Sequence, residues 1–117
     1  MSRTPREYLH DLNHYIERVA DFTKDGRDEF MKDDKTQFAV IRAYEVIGEI
    51  AKRLPQELLT TQPHIAWQDI KEFRDFLAHN YERIRLDIVW GAVEKLPELE
   101  VAVESMLISL DAPKDVQ

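Results

Sequence analysis

The sequence predicts an all-α protein, an up-and-down bundle of four to five helices. Three observations lead there. Apolar residues recur three and four apart along most of the chain. Cap residues and prolines fall at the edges of those stretches rather than within them. Strand signals are missing: no sustained alternation occurs, and no Asn-Gly or Asp-Gly turn joins two β-rich runs.

The first helix starts at Thr4-Pro5-Arg6-Glu7, which combines a cap residue, proline at the first helical position and glutamate at the third. Leu9, Leu12, Ile16 and Val19 follow at helical spacing, and Gly26 marks a break after Phe22. A second helix is expected from Asp34 to Arg53, with Phe38, Ile41, Tyr44, Ile47, Ile50, Ala51 and Leu54 inward and Pro55 as its stop. Residues 56–62 read as a helical turn or loop, and Pro63 precedes the next helix. That third helix begins near Trp67 and turns Ile70, Phe73 and Leu77 inward. A fourth contains Ile88, Val89, Val93 and Leu96 and is expected to end at Pro97. The last uses Leu99, Val103, Met106 and Leu110. Tyr44 and Trp67 read as core aromatics, and Trp90 as core or interface.

A chain of 117 residues suits one domain, 1–117, with a helical core over 4–110 and a polar tail over 111–117. Without cysteine, neither a disulfide framework nor a thiolate metal site is available. No N-terminal apolar h-region and no membrane-length apolar run is present, so a cytoplasmic protein with no membrane partner is expected. The net charge of −7 argues against wrapping a duplex. Residues 71–85 nevertheless balance at +1, so this stretch is an electropositive spot that could hold a few phosphates.

That stretch contains the chemistry. Arg74 and His79 have four residues between them, and Tyr81 stands two further on, spelling R-x-x-x-x-H-x-Y. A guanidinium holds phosphate through a planar fork of donors, and an imidazole exchanges protons near neutrality. Together they suffice for metal-free cleavage of an RNA phosphodiester. Residues five apart on a helix are separated by about 140°, so one copy of the motif makes a poor site. Two copies across a two-fold axis would bring two arginines and two histidines to one cleft. Each residue also has a structural reading. Arg74 could pair with Glu72 or Asp75 on the surface, His79 could simply end its helix, and Tyr81 could be a half-buried packing tyrosine.

The runs Ile65-Ala66-Trp67-Gln68-Asp69-Ile70, Phe73-Arg74-Asp75-Phe76-Leu77-Ala78-His79-Asn80-Tyr81, Asp87-Ile88-Val89-Trp90 and Leu96-Pro97-Glu98-Leu99 follow in order. Upstream stand Ala39-Val40-Ile41-Arg42 and Ile47-Gly48-Glu49-Ile50-Ala51-Lys52-Arg53-Leu54. Together they resemble the HepT-like toxins of the HEPN superfamily over roughly residues 4–110. Asp75 matches that family's polar residue after the arginine, and Glu49 its glutamate near the cleft. Arg85 departs from the pattern, where the family often has a capping aspartate. The resemblance implies an all-helical HEPN-like homodimer with a ribonuclease site, in which Arg74 and His79 are catalytic and Asp75 and Glu49 support them. It further implies a type VII-like toxin–antitoxin system, whose minimal nucleotidyltransferase antitoxin can silence the toxin by transferring AMP to Tyr81. No cofactor and no metal are expected.

His10 and His14 are four apart, a spacing that could grip a metal, but no third ligand converges in the sequence, and a surface pair is the better reading. Gly26, Gly48 and Gly91 are scattered, which excludes a phosphate-binding P-loop. The competing function class is a non-catalytic helical subunit that binds or regulates a nucleotidyltransferase. The acidic charge favours that class slightly; the intact motif favours the ribonuclease more.

Overall fold

A computed structural model describes residues 3–111. Among these residues there are seven α-helices, one 3-10 turn and no strand. The helices are α1 (Pro5–Phe22), α2 (Arg27–Lys32), α3 (Asp34–Arg53), α4 (Gln56–Leu59), α5 (Trp67–His79), α6 (Leu86–Glu94) and α7 (Leu96–Asp111), with the 3-10 turn at Tyr81–Arg83. The all-α bundle is thus as expected. Its five longer helices are those legible in the sequence, α4 is the helical turn read over residues 56–62, and α2 is a short addition. Of the expected polar tail, Asp111 closes α7, and residues 112–117 lie outside the described residues.

The N-terminal cap forms as the sequence indicated. Thr4 Oγ1 accepts from the Glu7 backbone N–H at 3.1 Å, and Glu7 Oε1 accepts from the Thr4 N–H at 2.8 Å. Gly26 takes φ +94°, a conformation open to glycine, and so lets the chain turn from α1 into α2. At the other end of α3, Pro55 leaves no donor to continue the helix.

The long helices lie side by side in the order α5, α3, α1, α7, in a body of 56 × 28 × 28 Å. One apolar core joins them. Leu9, Leu12, Ile16 and Val19 of α1 meet Val40, Ile47 and Ala51 of α3, Leu77 of α5, and Val103 and Met106 of α7. Each fully buried Leu or Ile contributes roughly 1.5–3 kcal/mol relative to exposure. Trp67 anchors the start of α5, its indole N–H donating to the Leu59 and Gln62 carbonyls at 3.1 and 3.2 Å. Trp90 packs on Phe30 with ring centroids 5.4 Å apart. Among the described residues the buried Tyr44 hydroxyl has no hydrogen-bond partner, and burial pushes its pKa well above the ordinary phenol value.

Several inward assignments need correction. Phe38 is 70% exposed. At 100° per residue it lies about 160° from the centre of the face formed by Val40, Ala43, Tyr44, Ile47 and Ala51. Ile88 and Leu110 are also exposed, and Ile41, Ile70 and Phe73 are half-buried. Leu96 belongs to α7, not to the end of α6, and Pro97 sits in the first turn of α7. Proline is tolerated there because a first-turn N–H has no intrahelical acceptor. Arg85, at the N-cap of α6, makes no side-chain cap bond; it pairs instead with Asp87 at 2.8 Å.

Candidate functional site

The motif lies on α5, and its placement begins with Gly48 on α3. A Cβ at position 48 would stand 2.2 Å from Arg74 Cβ and 3.0 Å from the Ile70 carbonyl oxygen. Only glycine lets α5 approach α3 this closely. The stem of Arg74 therefore lies flat on α3, and its guanidinium emerges between two carboxylates.

Arg74 Nε is 3.2 Å from Glu49 Oε1, and Nη1 is 3.2 Å from Asp75 Oδ1. Nε is buried and its N–H does not point along the Glu49 contact, so that pair is ionic rather than hydrogen-bonded. Glu49 also holds Arg53 Nη2 at 3.1 Å, and Asp75 also holds Lys52 Nζ. Three cations thus share two carboxylates, leaving a local excess of positive charge. Lys52 first, then Arg74, hold the Asp75 carboxyl below its ordinary pKa. The pairing of Arg74 with Asp75 was one of the surface readings; Glu72 instead takes a hydrogen bond from Gln68 at 3.1 Å.

His79 is the last residue of α5 and is exposed. Its Nδ1 lies 2.9 Å from the Asp75 carbonyl oxygen. A carbonyl can only accept, so Nδ1 carries the proton. In the neutral ring Nε2 then holds the lone pair, at a position open to solvent and able to take a proton from a substrate hydroxyl. Among the described residues no hydrogen bond or ion pair joins Arg74 to His79. Arg74 faces α3 while His79 stands free at the helix end, as the angular separation required.

Asn80 ends α5 with φ −136° and ψ 38°, and Tyr81 opens the 3-10 turn. Tyr81 is 75% exposed, so it is not a half-buried packing residue. His14 packs edge-on against Tyr15 with centroids 5.4 Å apart, and among the described residues no three His, Asp or Glu side chains are grouped as metal ligands would be. Sequence reasoning did not assign Lys52, Arg53 or Gly48 to the site. The signal for Gly48 was available: a glycine inside a long helix is disfavoured by about 1 kcal/mol, which calls for a packing reason.

The chain matches the family described as Ribonuclease HepT-like over residues 12–106. It is 38% identical over 108 residues to a protein of Methanocaldococcus jannaschii that bears an RNase name, covering 91% of this chain and 89% of the relative. It is 37% identical over 108 residues to "Probable ribonuclease HepT" of Thermococcus cleftensis, covering 91% and 98%. A protein of Caldanaerobacter subterraneus subsp. tengcongensis that bears an RNase name is 34% identical over 107 residues, covering 90% and 96%. No solved structure matches the chain.

Proposed function

Since the chain belongs to the HepT-like ribonuclease family, we propose that it is a metal-independent endoribonuclease and the toxin of a type VII-like toxin–antitoxin pair. The active unit is a two-fold dimer in which the motifs of both protomers form one cleft. One His79 takes the proton of a ribose 2′-hydroxyl through Nε2. The freed oxygen attacks the adjacent phosphorus, and the other His79 protonates the departing 5′-oxygen. The products are a 2′,3′-cyclic phosphate and a 5′-hydroxyl. Arg74 meets the charge that builds on the phosphorane, and Glu49 and Asp75 hold its guanidinium in place beforehand.

The observation that supports this reading best is the division of labour on α5: a guanidinium clamped by two carboxylates, and an exposed imidazole whose tautomer is set by the Asp75 carbonyl. A minimal nucleotidyltransferase is the antitoxin, and it silences the toxin by transferring AMP from ATP to the Tyr81 hydroxyl, which loses its proton as pyrophosphate leaves. The exposure of Tyr81 supports access for that enzyme. The added phosphodiester would compete with RNA for the arginine, and the base would obstruct the cleft.

Inducing this chain alone in a bacterium, and again with the neighbouring open reading frame, tests the proposal. Growth arrest with RNA breakdown is expected in the first case and relief in the second. Normal growth and intact RNA under strong expression of the folded chain would refute the toxin.

A further inference from the structure

A groove of about 410 Å³ runs between α1 and α3 and ends at Arg74. Its size falls within the roughly 300–1,000 Å³ of small-ligand sites. Two half-buried tyrosines, Tyr8 and Tyr15, line it beside Arg3, Arg42, Arg53 and Arg74. The carboxylates present are Asp11, Glu45 and Glu49, so four arginines face three acids in a chain whose net charge is −7. Each acid holds arginine: Asp11 pairs with Arg3, Glu45 with Arg42 at 3.1 Å, and Glu49 with both Arg53 and Arg74. The pairs hold the guanidinium groups in place, and the side chains of Arg3, Arg42 and Arg53 stay largely exposed while Arg74 is more covered. Arg3 already lies over the Tyr8 ring, 5.4 Å from its centroid. That face of Tyr8 is therefore taken by a flat cation, whereas among the described residues no cation lies over the Tyr15 ring, which leaves Tyr15 for a nucleobase.

We propose that this groove is the path of single-stranded RNA beyond the scissile bond, accepting one or two nucleotides with phosphates at Arg42 and Arg53 and a base stacked on Tyr15. Aromatic faces interleaved with guanidinium groups are the standard chemistry for single strands, and they read no particular base. The inference rests on the ribonuclease reading for its direction, because Arg74 belongs to both the groove and the cleft. The acids in the groove make it a guide rather than a tight anchor. Each phosphate held should add about 0.7 to the magnitude of the logarithmic salt slope.

The test uses the whole chain and 2′-O-methyl oligonucleotides from two to six residues long, which lack the attacking hydroxyl and stay uncut. Fluorescence anisotropy should show affinity rising with length and levelling off by about four nucleotides. Tyr15→Leu and Arg42→Glu should each weaken hexamer binding about tenfold while leaving dinucleotide binding nearly unchanged. Arg42→Glu should also flatten the salt slope by about 0.7. Lys32→Glu, the same charge change on an exposed residue outside the groove, should have little effect. Arg42 is exposed at the surface, so its variant remains informative if Tyr15→Leu fails to fold.

Hexamer binding that ignores both groove substitutions, or no binding of single-stranded RNA at all, overturns the inference. RNA cleavage with groove-insensitive binding would leave the ribonuclease reading standing and remove the groove. Groove-dependent binding without cleavage of natural RNA would do the reverse.

Discussion

Gly48 lies directly beneath Arg74, so close that a methyl group on it would come within 2.2 Å of the arginine's own Cβ. A Cβ cannot rotate away from such a contact. Either α3 and α5 separate or both bend. Gly48→Ala gains helix propensity of about 1 kcal/mol, while overpacking of this kind costs about 1–3 kcal/mol. The clash should win, with a melting temperature lowered by several degrees. Because Arg74 moves with α5, RNA cleavage should fall further than the loss of folded protein explains. Thermal denaturation beside a cleavage assay at a temperature where both proteins are folded checks this. An unchanged melting temperature would mean that parting the two helices costs no more than the helix propensity that alanine gains, about 1 kcal/mol.

Arg74→Ala and His79→Ala should each reduce RNA cleavage by about 10²-fold or more, with the helical circular dichroism signal retained. His79 is exposed, and Arg74 is half-buried between α3 and α5 but outside the apolar core, so neither truncation opens that core. Wild-type cleavage should persist in EDTA and leave 2′,3′-cyclic phosphate ends. Full activity in a folded His79→Ala protein would remove histidine from the mechanism.

The Asp75 carboxyl is held below its ordinary value of 3.8 by Lys52 and then by Arg74. A lowered folded-state pKa gives stability that is complete above the unfolded value and is lost as pH falls through the folded one. Asp75→Asn should therefore lose a little stability at neutral pH and show a shallower decline as the pH falls through the ordinary carboxylate value of 3.8 and below it. The side chain is 47% exposed, so solvent screening keeps the effect small. Melting temperatures across that range for both proteins provide the comparison, and parallel curves would argue that the ion pairs contribute nothing.

Co-expression with the proposed nucleotidyltransferase antitoxin should add the mass of one AMP, or a small multiple, to the peptide containing Tyr81. Tyr81→Phe should lose that mass and escape silencing, since the exposed phenol takes no part in the core. A fully neutralised but unmodified toxin would leave masking of the cleft as the only route.

Light scattering at micromolar concentration should give twice the mass of the chain. An active monomer would end the argument for a composite site, because Arg74 and His79 of a single chain face different ways.

The sequence alone determined the five longer helices, apart from the boundary between α6 and α7, and the motif. Local signals decide those: the Thr4–Glu7 capping box, the stop at Pro55, and the three-and-four spacing of Leu9, Leu12, Ile16 and Val19 all act within one or two turns. Periodicity misplaced Phe38 because an apolar residue on the far side of a helix looks the same in sequence as one facing inward. Pro97 misled because proline can open a helix as well as end one. Arg74, His79 and Tyr81 were legible as a pattern, and the resemblance pointed to Asp75 and Glu49 beside them, but Lys52, Arg53 and the contacts that join these residues were not legible. The partners Glu49 and Lys52 reach Arg74 and Asp75 from another helix, more than twenty residues away in the chain. That pairing depends on the distance and rotation between α3 and α5, which the fit of whole helix faces sets and no local spacing encodes. Only the tertiary structure decided that Gly48 brings the two helices together, that Arg74 turns toward Glu49 while His79 is left to solvent, and that a groove of tyrosines and arginines opens beside them.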